Sequence, residues 1–288
     1  MKNAKLEKLQ RGTPDLPFSW YHFSFSKNKT VAHTHWHPEQ EILYVRNGTV
    51  SVMVGRKVHT LHAGEICFVS PNALHNVMTT SNNTQYEAFV FSYDLLAFPG
   101  THFFQKAVTA PLRDGKLSLP LVLRTQDPGY KAAAAALEQL CTKEGNTLQY
   151  KLTIFNGLVA LYTALIDQLS PIEGGDRAVD NRAVKDCIAY LNEHYAEKVT
   201  LDILAQLVHL HPNYLCNLFK EYTGQTAFQL LTRIRLEQAA YLLQNTDYTV
   251  SQIANQCGFD SASFFSRKFN QIMGMSPKNY SQKHRKNF

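Results

Sequence analysis

The sequence lacks the features typical of secreted, disulfide-bonded and membrane-spanning proteins. It has five cysteines, an odd number, and they are scattered with no two in a CxxC spacing. This pattern favours reduced thiols over a disulfide framework or a zinc site. The most apolar stretch, residues 157–166, has about half of the ~20 residues that a membrane span requires. The polar start, MKNAKLEKLQRG, has no apolar run of a secretory signal. From these absences we expect a cytoplasmic protein with no part in a membrane.

The charged residues are unevenly distributed along the chain. Charged residues make up 18% of the 288 residues and hydrophobic residues 44%, which is ordinary for a folded globular protein. A chain of this length is long enough for about two domains, each with its own core. The net charge is +6, and residues 181–288 carry +4 of it, with twelve Lys and Arg against eight Asp and Glu. This distribution hints at a polyanionic partner without identifying it.

The residue pattern divides the chain into four regions. Residues 17–95 contain short β-type segments separated by turn residues, which predicts a barrel or sandwich. Two helices are predicted within residues 130–170, a linker at residues 171–180, and an all-helical domain over residues 181–288. The predicted fold class is α+β with several domains, and the β-rich first domain spans residues 1–129.

The C-terminal region contains an internal repeat. The segment 218–224 (LFKEYTG) recurs fifty residues later as 268–274 (KFNQIMG). Upstream of these segments, Thr200 and Thr249 each precede a short apolar pattern shared by the two copies. Each copy therefore predicts a helix opened by a Thr cap, a tight turn and a second helix. Residues 227–243 predict one connecting helix about 25 Å long.

The second helix of each copy has an apolar side and a polar side. We place on the buried side Tyr214, Leu215, Leu218 and Phe219 in the first copy, and Phe264, Phe265 and Phe269 in the second. The polar faces share the spacing i, i+3, i+4, i+7, with Asn213, Cys216, Asn217 and Lys220 in the first copy and Ser263, Ser266, Arg267 and Asn270 in the second. Asn and Arg suit adenine and guanine edges in the major groove. A single such helix is more often a solvated face, but two matched copies joined by a spacing helix favour DNA readout.

Residues 182–281 resemble the DNA-binding domain of AraC/XylS-type transcription regulators. The matching stretches are LDILAQLVHLHPNYLCNLFKEYTGQTAFQLLTRIRLEQAAYLL and TVSQIANQCGFDSASFFSRKFNQIMGMSPKNY. The resemblance implies two helix-turn-helix units whose recognition helices enter successive major grooves of double-stranded DNA. It assigns base contacts to Asn213, Cys216, Asn217, Ser263, Ser266 and Arg267. Lys220, Arg233 and Arg235 are better suited to phosphate contacts, which add affinity but no sequence specificity.

Two positions depart from the pattern of this family. His209 stands where the family often has Gly, and Asn217 stands where an Arg is frequent. The second departure makes the first recognition helix less basic and leaves its base preference open.

The N-terminal region contains the spacing His35-x-His37-x3-Glu41-x6-Gly48, followed by Pro71-x3-His75. This spacing resembles the two cupin motifs and implies a small β-barrel. Three histidines and a carboxylate also suit a divalent transition metal. We expect no resident cofactor, because AraC-type sensor domains often keep such histidines while binding a small effector without chemistry. The candidate ligands of any bound metal are His35, His37, Glu41 and His75, and the remaining alternative is that these are hydrogen-bonded structural residues.

The sequence thus predicts a DNA-binding regulator without catalytic residues, controlled by a small molecule. The predicted effector-binding residues are His35, His37, Glu41, Tyr44 and His75. By resemblance to the family we expect an activator that contacts RNA polymerase, a carbohydrate effector, and a homodimer formed through the helices of residues 130–170. The apolar residues of those helices need a partner surface, either the barrel or a second subunit. Two alternatives remain: a metal-dependent cupin enzyme fused to a DNA-binding domain, and an architectural DNA-binding protein without an effector.

Overall fold

The computed structural model describes residues 12–26, 29–97, 102–142, 145–172 and 177–284. The chain divides into two compact units, with the boundary in the sequence between residues 175 and 176. Among the described residues, no helix combines the length and the apolar character that crossing a membrane requires.

The first unit is a β-barrel followed by helices. Its described strands are β1 (Phe18–Phe25), β2 (Lys29–His35), β3 (Gln40–Asn47), β4 (Thr49–Val54), β5 (Lys57–His62), β6 (Ile66–Val69), β7 (His75–Thr79), β8 (Thr84–Phe91), β9 (Leu117–Ser118), β10 (Val122–Leu123) and β11 (Ser170–Pro171). Its helices are α1 (Ala110–Arg113), α2 (Tyr130–Leu140) and α3 (Leu148–Ala164). Short 3-10 turns at Tyr93–Leu96 and Ile166–Gln168 and a π-helical turn at Gln105–Thr109 complete it.

Two sheets face each other in this unit. One has the strand order β1-β8-β3-β6-β10 and the other β2-β7-β4-β5. Alternate residues of β3 point to opposite sides, as the two-residue period of a strand requires. Leu43 and Val45 lie between the two sheets in one apolar cluster, whereas Ile42 and Tyr44 lie in a second cluster on the outer side.

Helices α2 and α3 cover that outer side of the five-stranded sheet. Their buried side chains, including Leu137, Leu140, Leu158 and Leu161, share one core with Ile42 and other residues of the sheet. The barrel is therefore the partner surface for most of the apolar residues of the 130–170 helices. Leu148 and Leu152 are the exception within this set, because 72% and 47% of their surfaces stay exposed.

The second unit is helical. Its described helices are α4 (Arg177–Glu193), α5 (Leu201–Leu207), α6 (Pro212–Thr223), α7 (Ala227–Asn245), α8 (Val250–Gln256), α9 (Ala262–Met273) and α10 (Pro277–His284). Because α4 begins at Arg177, residues 177–180 of the predicted linker are helical, and residues 173–176 lie outside the described residues. The predicted Thr caps are confirmed: Thr200 and Thr249 accept hydrogen bonds from the backbone N–H groups of Ile203 and Gln252.

The turns of the two repeat copies share a left-handed residue. His209, between α5 and α6, has φ +55°, and Gly258, between α8 and α9, has φ +77°. In the second copy a side chain would also collide with the backbone, because a Cβ on Gly258 would lie 2.7 Å from the carbonyl oxygen of Ala196. A histidine therefore meets the backbone requirement in the first turn, while the close approach to Ala196 requires glycine in the second.

Candidate functional site

The first recognition helix, α6, presents its predicted polar face to solvent. Asn213, Cys216, Asn217 and Lys220 are all exposed. On the opposite side, Leu215, Leu218 and Phe219 are buried against the unit. His211 caps the helix by accepting a hydrogen bond from the backbone N–H of Asn213. The four predicted DNA contacts of this helix therefore lie together on one accessible face.

The second recognition helix, α9, repeats this arrangement. Ser263 and Arg267 are exposed and Ser266 is half-buried, while Phe265 and Phe269 are fully buried. Ser261 caps the helix through the backbone N–H of Phe264. The base-reading role of the exposed residues on α6 and α9 stays a prediction, and both helices offer the face that it needs.

Two aromatic residues that we expected on the buried sides are exposed. Tyr214 has 48% and Phe264 has 41% of its surface accessible to solvent. The buried stripe of each helix is formed by the residue at the following position and the residue one turn later, which are Leu215 and Phe219 in α6 and Phe265 and Phe269 in α9. The prediction was wrong because it judged these residues by their apolar character rather than by their angle on the helix.

Arg235, a predicted phosphate contact, is hydrogen-bonded within the helical unit. Its Nε donates to the carbonyl oxygen of Tyr195 and its Nη2 to that of Glu197, both at 2.7 Å. These carbonyls belong to the segment that follows α4, so the guanidinium joins this segment to α7. Arg233 is partly buried; burial lowers its pKa and the nearby carboxylate of Glu237 opposes that shift. Of the three predicted phosphate contacts, Lys220 is the exposed one.

The cupin-motif residues come together between the two sheets of the barrel. His35 ends β2 and pairs in register with His75 of β7, while Glu41 lies on β3 and His37 in the connection between β2 and β3. Their candidate ligand atoms all lie within 4.8 Å of one another. His37, Glu41 and His75 are buried. The sequence spacing thus correctly predicted which four side chains converge, and we refer to them as the histidine–glutamate cluster.

Glu41 is hydrogen-bonded to two of these histidines. Its Oε2 lies 2.9 Å from Nε2 of His37 and 3.0 Å from Nε2 of His75. Burial alone would raise the pKa of Glu41, but these hydrogen bonds outweigh it and hold the pKa well below its ordinary value. Glu41 is therefore an ionised carboxylate in a buried position.

The outer ring nitrogens of the same histidines face backbone acceptors. Nδ1 of His37 lies 3.2 Å from the carbonyl oxygen of Glu39, and Nδ1 of His75 lies 2.9 Å from that of Ala73. A carbonyl oxygen only accepts, so each Nδ1 carries a proton. When Nε2 also carries a proton, it donates to Glu41; when that proton leaves, the Nε2 lone pair points into the cluster, which is the orientation that metal-bound histidines have. The donor set and its orientation fit a divalent transition metal.

Tyr44 is not part of this site. It differs from Glu41 by three positions on β3 and so points to the opposite side of the sheet. There it is buried in the core with α2 and α3, and the guanidinium carbon of Arg46 lies 4.1 Å from the centre of its ring. The predicted role of Tyr44 in effector binding was wrong because the strand alternation excludes it.

A buried chain of hydrogen bonds joins the cluster's strand to α3. Tyr162 of α3 donates to the hydroxyl of Tyr93 at 3.1 Å, and Tyr93 donates to Oε1 of Gln40 at 2.9 Å. The amide nitrogen of Gln40 donates to the carbonyl oxygens of Glu41 and Val69. All hydrogen bonds in this chain run in one donor direction, from α3 toward β3. No sequence pattern predicts these hydrogen bonds, because the residues involved are far apart along the chain.

Comparison with known proteins matches both units to families. A helix-turn-helix domain model matches residues 204–283, and a cupin domain model matches residues 21–91. The chain is 26% identical over 251 residues to the HTH-type transcriptional activator RhaS of Enterobacter sp. (strain 638), covering 86% of this chain and 87% of that protein. The chain is a DNA-binding transcriptional regulator with a helix-turn-helix domain and a cupin domain. This regulator is also 26% identical over 250 residues to the uncharacterized HTH-type transcriptional regulator YisR of Bacillus subtilis (strain 168), covering 83% of this chain and 84% of that protein.

Solved structures similar to this regulator cover part or most of it. The C-terminal domain of AraT, a response regulator from Geobacillus stearothermophilus, has 32% identity and a TM-score of 0.34, and the match covers 38% of this chain and 88% of that chain. ToxT from Vibrio cholerae, in a structure with bound unsaturated fatty acid, has 13% identity and a TM-score of 0.43, covering 92% of this chain and 94% of that chain.

From the contacts of Arg235 in this regulator, we predict that its substitution lowers the stability of the protein rather than removing a contact with a DNA phosphate. Arg235→Ala removes two hydrogen bonds from a charged donor and leaves two carbonyl groups without it, so we expect the free energy of unfolding of the helical unit to fall by about 2–4 kcal/mol. Urea denaturation of the full chain, followed by helical circular dichroism, measures this change. Arg267→Ala, at an exposed position, is the control and should stay within about 0.5 kcal/mol of wild type. Unchanged stability of Arg235→Ala together with weaker DNA binding would return Arg235 to the phosphate contacts.

Proposed function

We propose that this regulator is a transcriptional activator whose DNA binding is controlled by a small effector at the histidine–glutamate cluster. The observation that carries the proposal is the pair of matched, exposed recognition faces on α6 and α9. The barrel with its buried polar cluster supplies a site for the effector. Activation, which implies contact with RNA polymerase, is supported by the relatives named as transcriptional activators.

The two recognition faces suit different base edges. Asn213 and Asn217 on α6 carry amides that can pair with adenine, and Arg267 on α9 carries a guanidinium that can pair with guanine. In a recognition helix, the N-terminal residues contact base edges in the major groove. Both α6 and α9 carry polar residues near their N-termini that can reach these edges. The proposal is therefore a bipartite DNA site, with one half read by each helix.

Arg267→Ala should weaken binding to the preferred DNA site by about 1–3 kcal/mol and relax the base choice at one position. The measurement is fluorescence anisotropy over a salt series, with duplexes from upstream of the chain's own gene and with random duplexes. Lys220→Ala is the control, and it should weaken binding to all duplexes equally and reduce the salt slope by about one. An equal loss on both kinds of duplex for Arg267→Ala would instead assign Arg267 to the phosphates.

A carbohydrate effector and a metal effector make different demands on the barrel. The described apolar residues between the sheets are mostly Val and Leu, and the histidine–glutamate cluster supplies polar donors there. A sugar needs polar partners around its hydroxyl groups, whereas a metal ion needs the four donors alone. The donor set and the Nδ1 contacts favour, as a second candidate function, a regulator that responds to a divalent transition metal.

A bound ion would be held by His35, His37, Glu41 and His75, and it would supply a positive charge that joins β2, β3 and β7. Hydrogen bonds through Gln40, Tyr93 and Tyr162 connect β3 to α3. A displacement of β3 at the cluster would therefore be transmitted to that helix. We propose that this site serves sensing rather than catalysis, in line with relatives that are transcriptional regulators. A metal-dependent cupin enzyme remains the competing function for the same four residues.

Zn²⁺ and Ni²⁺ should bind the metal-free chain with a stoichiometry of about one, and binding should raise the thermal midpoint of the barrel. His75→Ala should weaken metal binding more than the roughly 10–100-fold that loss of an outer-shell partner costs. Titration calorimetry measures binding, and DNA anisotropy with and without metal measures the response. The matched control is His22→Ala, which removes a histidine bonded to Glu87 outside the cluster. Failure to bind metal would exclude this candidate, and metal binding without a change in DNA affinity would favour the enzyme.

Helix α3 supports a homodimer. The exposed Leu148 and Leu152 are followed by the half-buried Phe155 and Val159, which gives the 4-3-4 spacing of a coiled-coil seam. The surface that best complements this seam is the same helix of a second copy, packed around a two-fold axis. We therefore assign the dimer interface to α3.

Leu152→Glu should convert the dimer to a monomer, because it places a charge in the seam without disturbing the core of the barrel. Sedimentation equilibrium of the full chain measures the association constant. Gln149→Glu, on an exposed position of the same helix, is the control and should leave the dimer intact. A wild-type chain that is monomeric at micromolar concentration, or a dimer that Leu152→Glu leaves unchanged, would contradict this interface.

A further inference from the structure

The two recognition helices carry a matched pair of exposed aromatic residues. Tyr214 is the third residue of α6 and Phe264 the third residue of α9, fifty residues later. Both are exposed to a similar degree, at 48% and 41%, although the next residue in each helix is fully buried. An exposed ring at the same position of both repeat copies points to a shared role outside the core.

The angle of Phe264 on its helix places it at the edge of the DNA-reading face. With 3.6 residues per turn, it lies about 60° from Arg267, on the flank away from Ser263. The guanidinium carbon of Arg267 lies 5.4 Å from the centre of the Phe264 ring, and Nζ of Lys268 lies 5.9 Å from it. The ring therefore lies between Lys268 and Arg267, and Arg267 belongs to the predicted DNA-reading face.

The chemistry of a phenyl ring restricts what it can read in a groove. Phe264 has no hydrogen-bonding group to offer to a base edge, so it can distinguish bases only through contact with their apolar atoms. The apolar group that the major groove offers is the C5 methyl of thymine. Tyr214 offers the same ring and adds a hydroxyl that can donate to a phosphate oxygen.

We propose that Phe264 and Tyr214 read thymine methyl groups, one in each half of the bipartite DNA site. This inference rests on the proposed DNA-binding function and adds two residues that determine its sequence preference. Phe264 and Arg267 are three residues apart, a rise of about 4.5 Å, and a base step is about 3.4 Å. The thymine read by Phe264 therefore lies within one or two base pairs of the guanine read by Arg267.

Replacing thymine by deoxyuridine tests this directly, because it removes the methyl group and keeps the base pair. The full chain first selects its preferred duplex from a random pool, and each thymine of that duplex is then replaced singly. We expect wild-type binding to weaken about fourfold at one thymine in each half-site, which is the effect of losing one buried methyl-sized contact. Phe264→Ala should bind the thymine and uracil versions of the second half-site equally, and Tyr214→Ala those of the first.

Two variants serve as controls. Phe264→Leu keeps an apolar contact and should retain the preference for thymine, and Tyr241→Ala removes an exposed aromatic residue outside the recognition helices and should change nothing. Circular dichroism checks that each variant is folded. The inference is overturned if no thymine is sensitive to loss of its methyl group, or if Phe264→Ala still distinguishes thymine from uracil. If the wild-type chain enriched no sequence from the pool, the proposed function itself would fail, and this inference with it.

Discussion

The DNA-binding unit depends on one set of contacts around the segment that follows α4. Arg235 of α7 donates to the carbonyls of Tyr195 and Glu197, and between them the carbonyl of Ala196 lies against Gly258 in the turn of the second helix-turn-helix. The same short segment thus contacts the long helix shared by both copies and the turn of the second one. Helix α4 also packs against the helices of the first copy. These contacts therefore fix the two recognition helices relative to each other, which a bipartite DNA site requires.

The barrel follows the same principle of buried polar contacts with defined partners. The hydrogen bonds with two histidines lower the pKa of Glu41 and keep it ionised, and each histidine is oriented by a backbone carbonyl on its other side. The strand that carries Glu41 is bonded through Gln40 and two tyrosines to α3. The proposed effector site and the proposed dimer helix therefore belong to one packed unit, connected by polar contacts that water does not reach.

The repeat was the most informative feature of the sequence, because its caps, turns and apolar spacing are local and set by backbone geometry. The convergence of His35, His37, Glu41 and His75 was also predictable from motif spacing. The role of Arg235 was not, since its acceptors come from a segment about forty residues away. Tyr44 and Phe264 were misplaced although the sequence held the signal: strand alternation excludes Tyr44 from the barrel interior, and the helical angle places Phe264 outside the core.

The central claim is that a single chain reads DNA with two recognition helices held in one rigid unit. Hydroxyl-radical footprinting of the full chain on its preferred duplex tests it most directly. The account predicts two protected patches on one face of the DNA, separated by about one helical turn of 10 base pairs. A single protected patch, or uniform weak protection along the duplex, would mean that the two helices do not act together and would contradict the account.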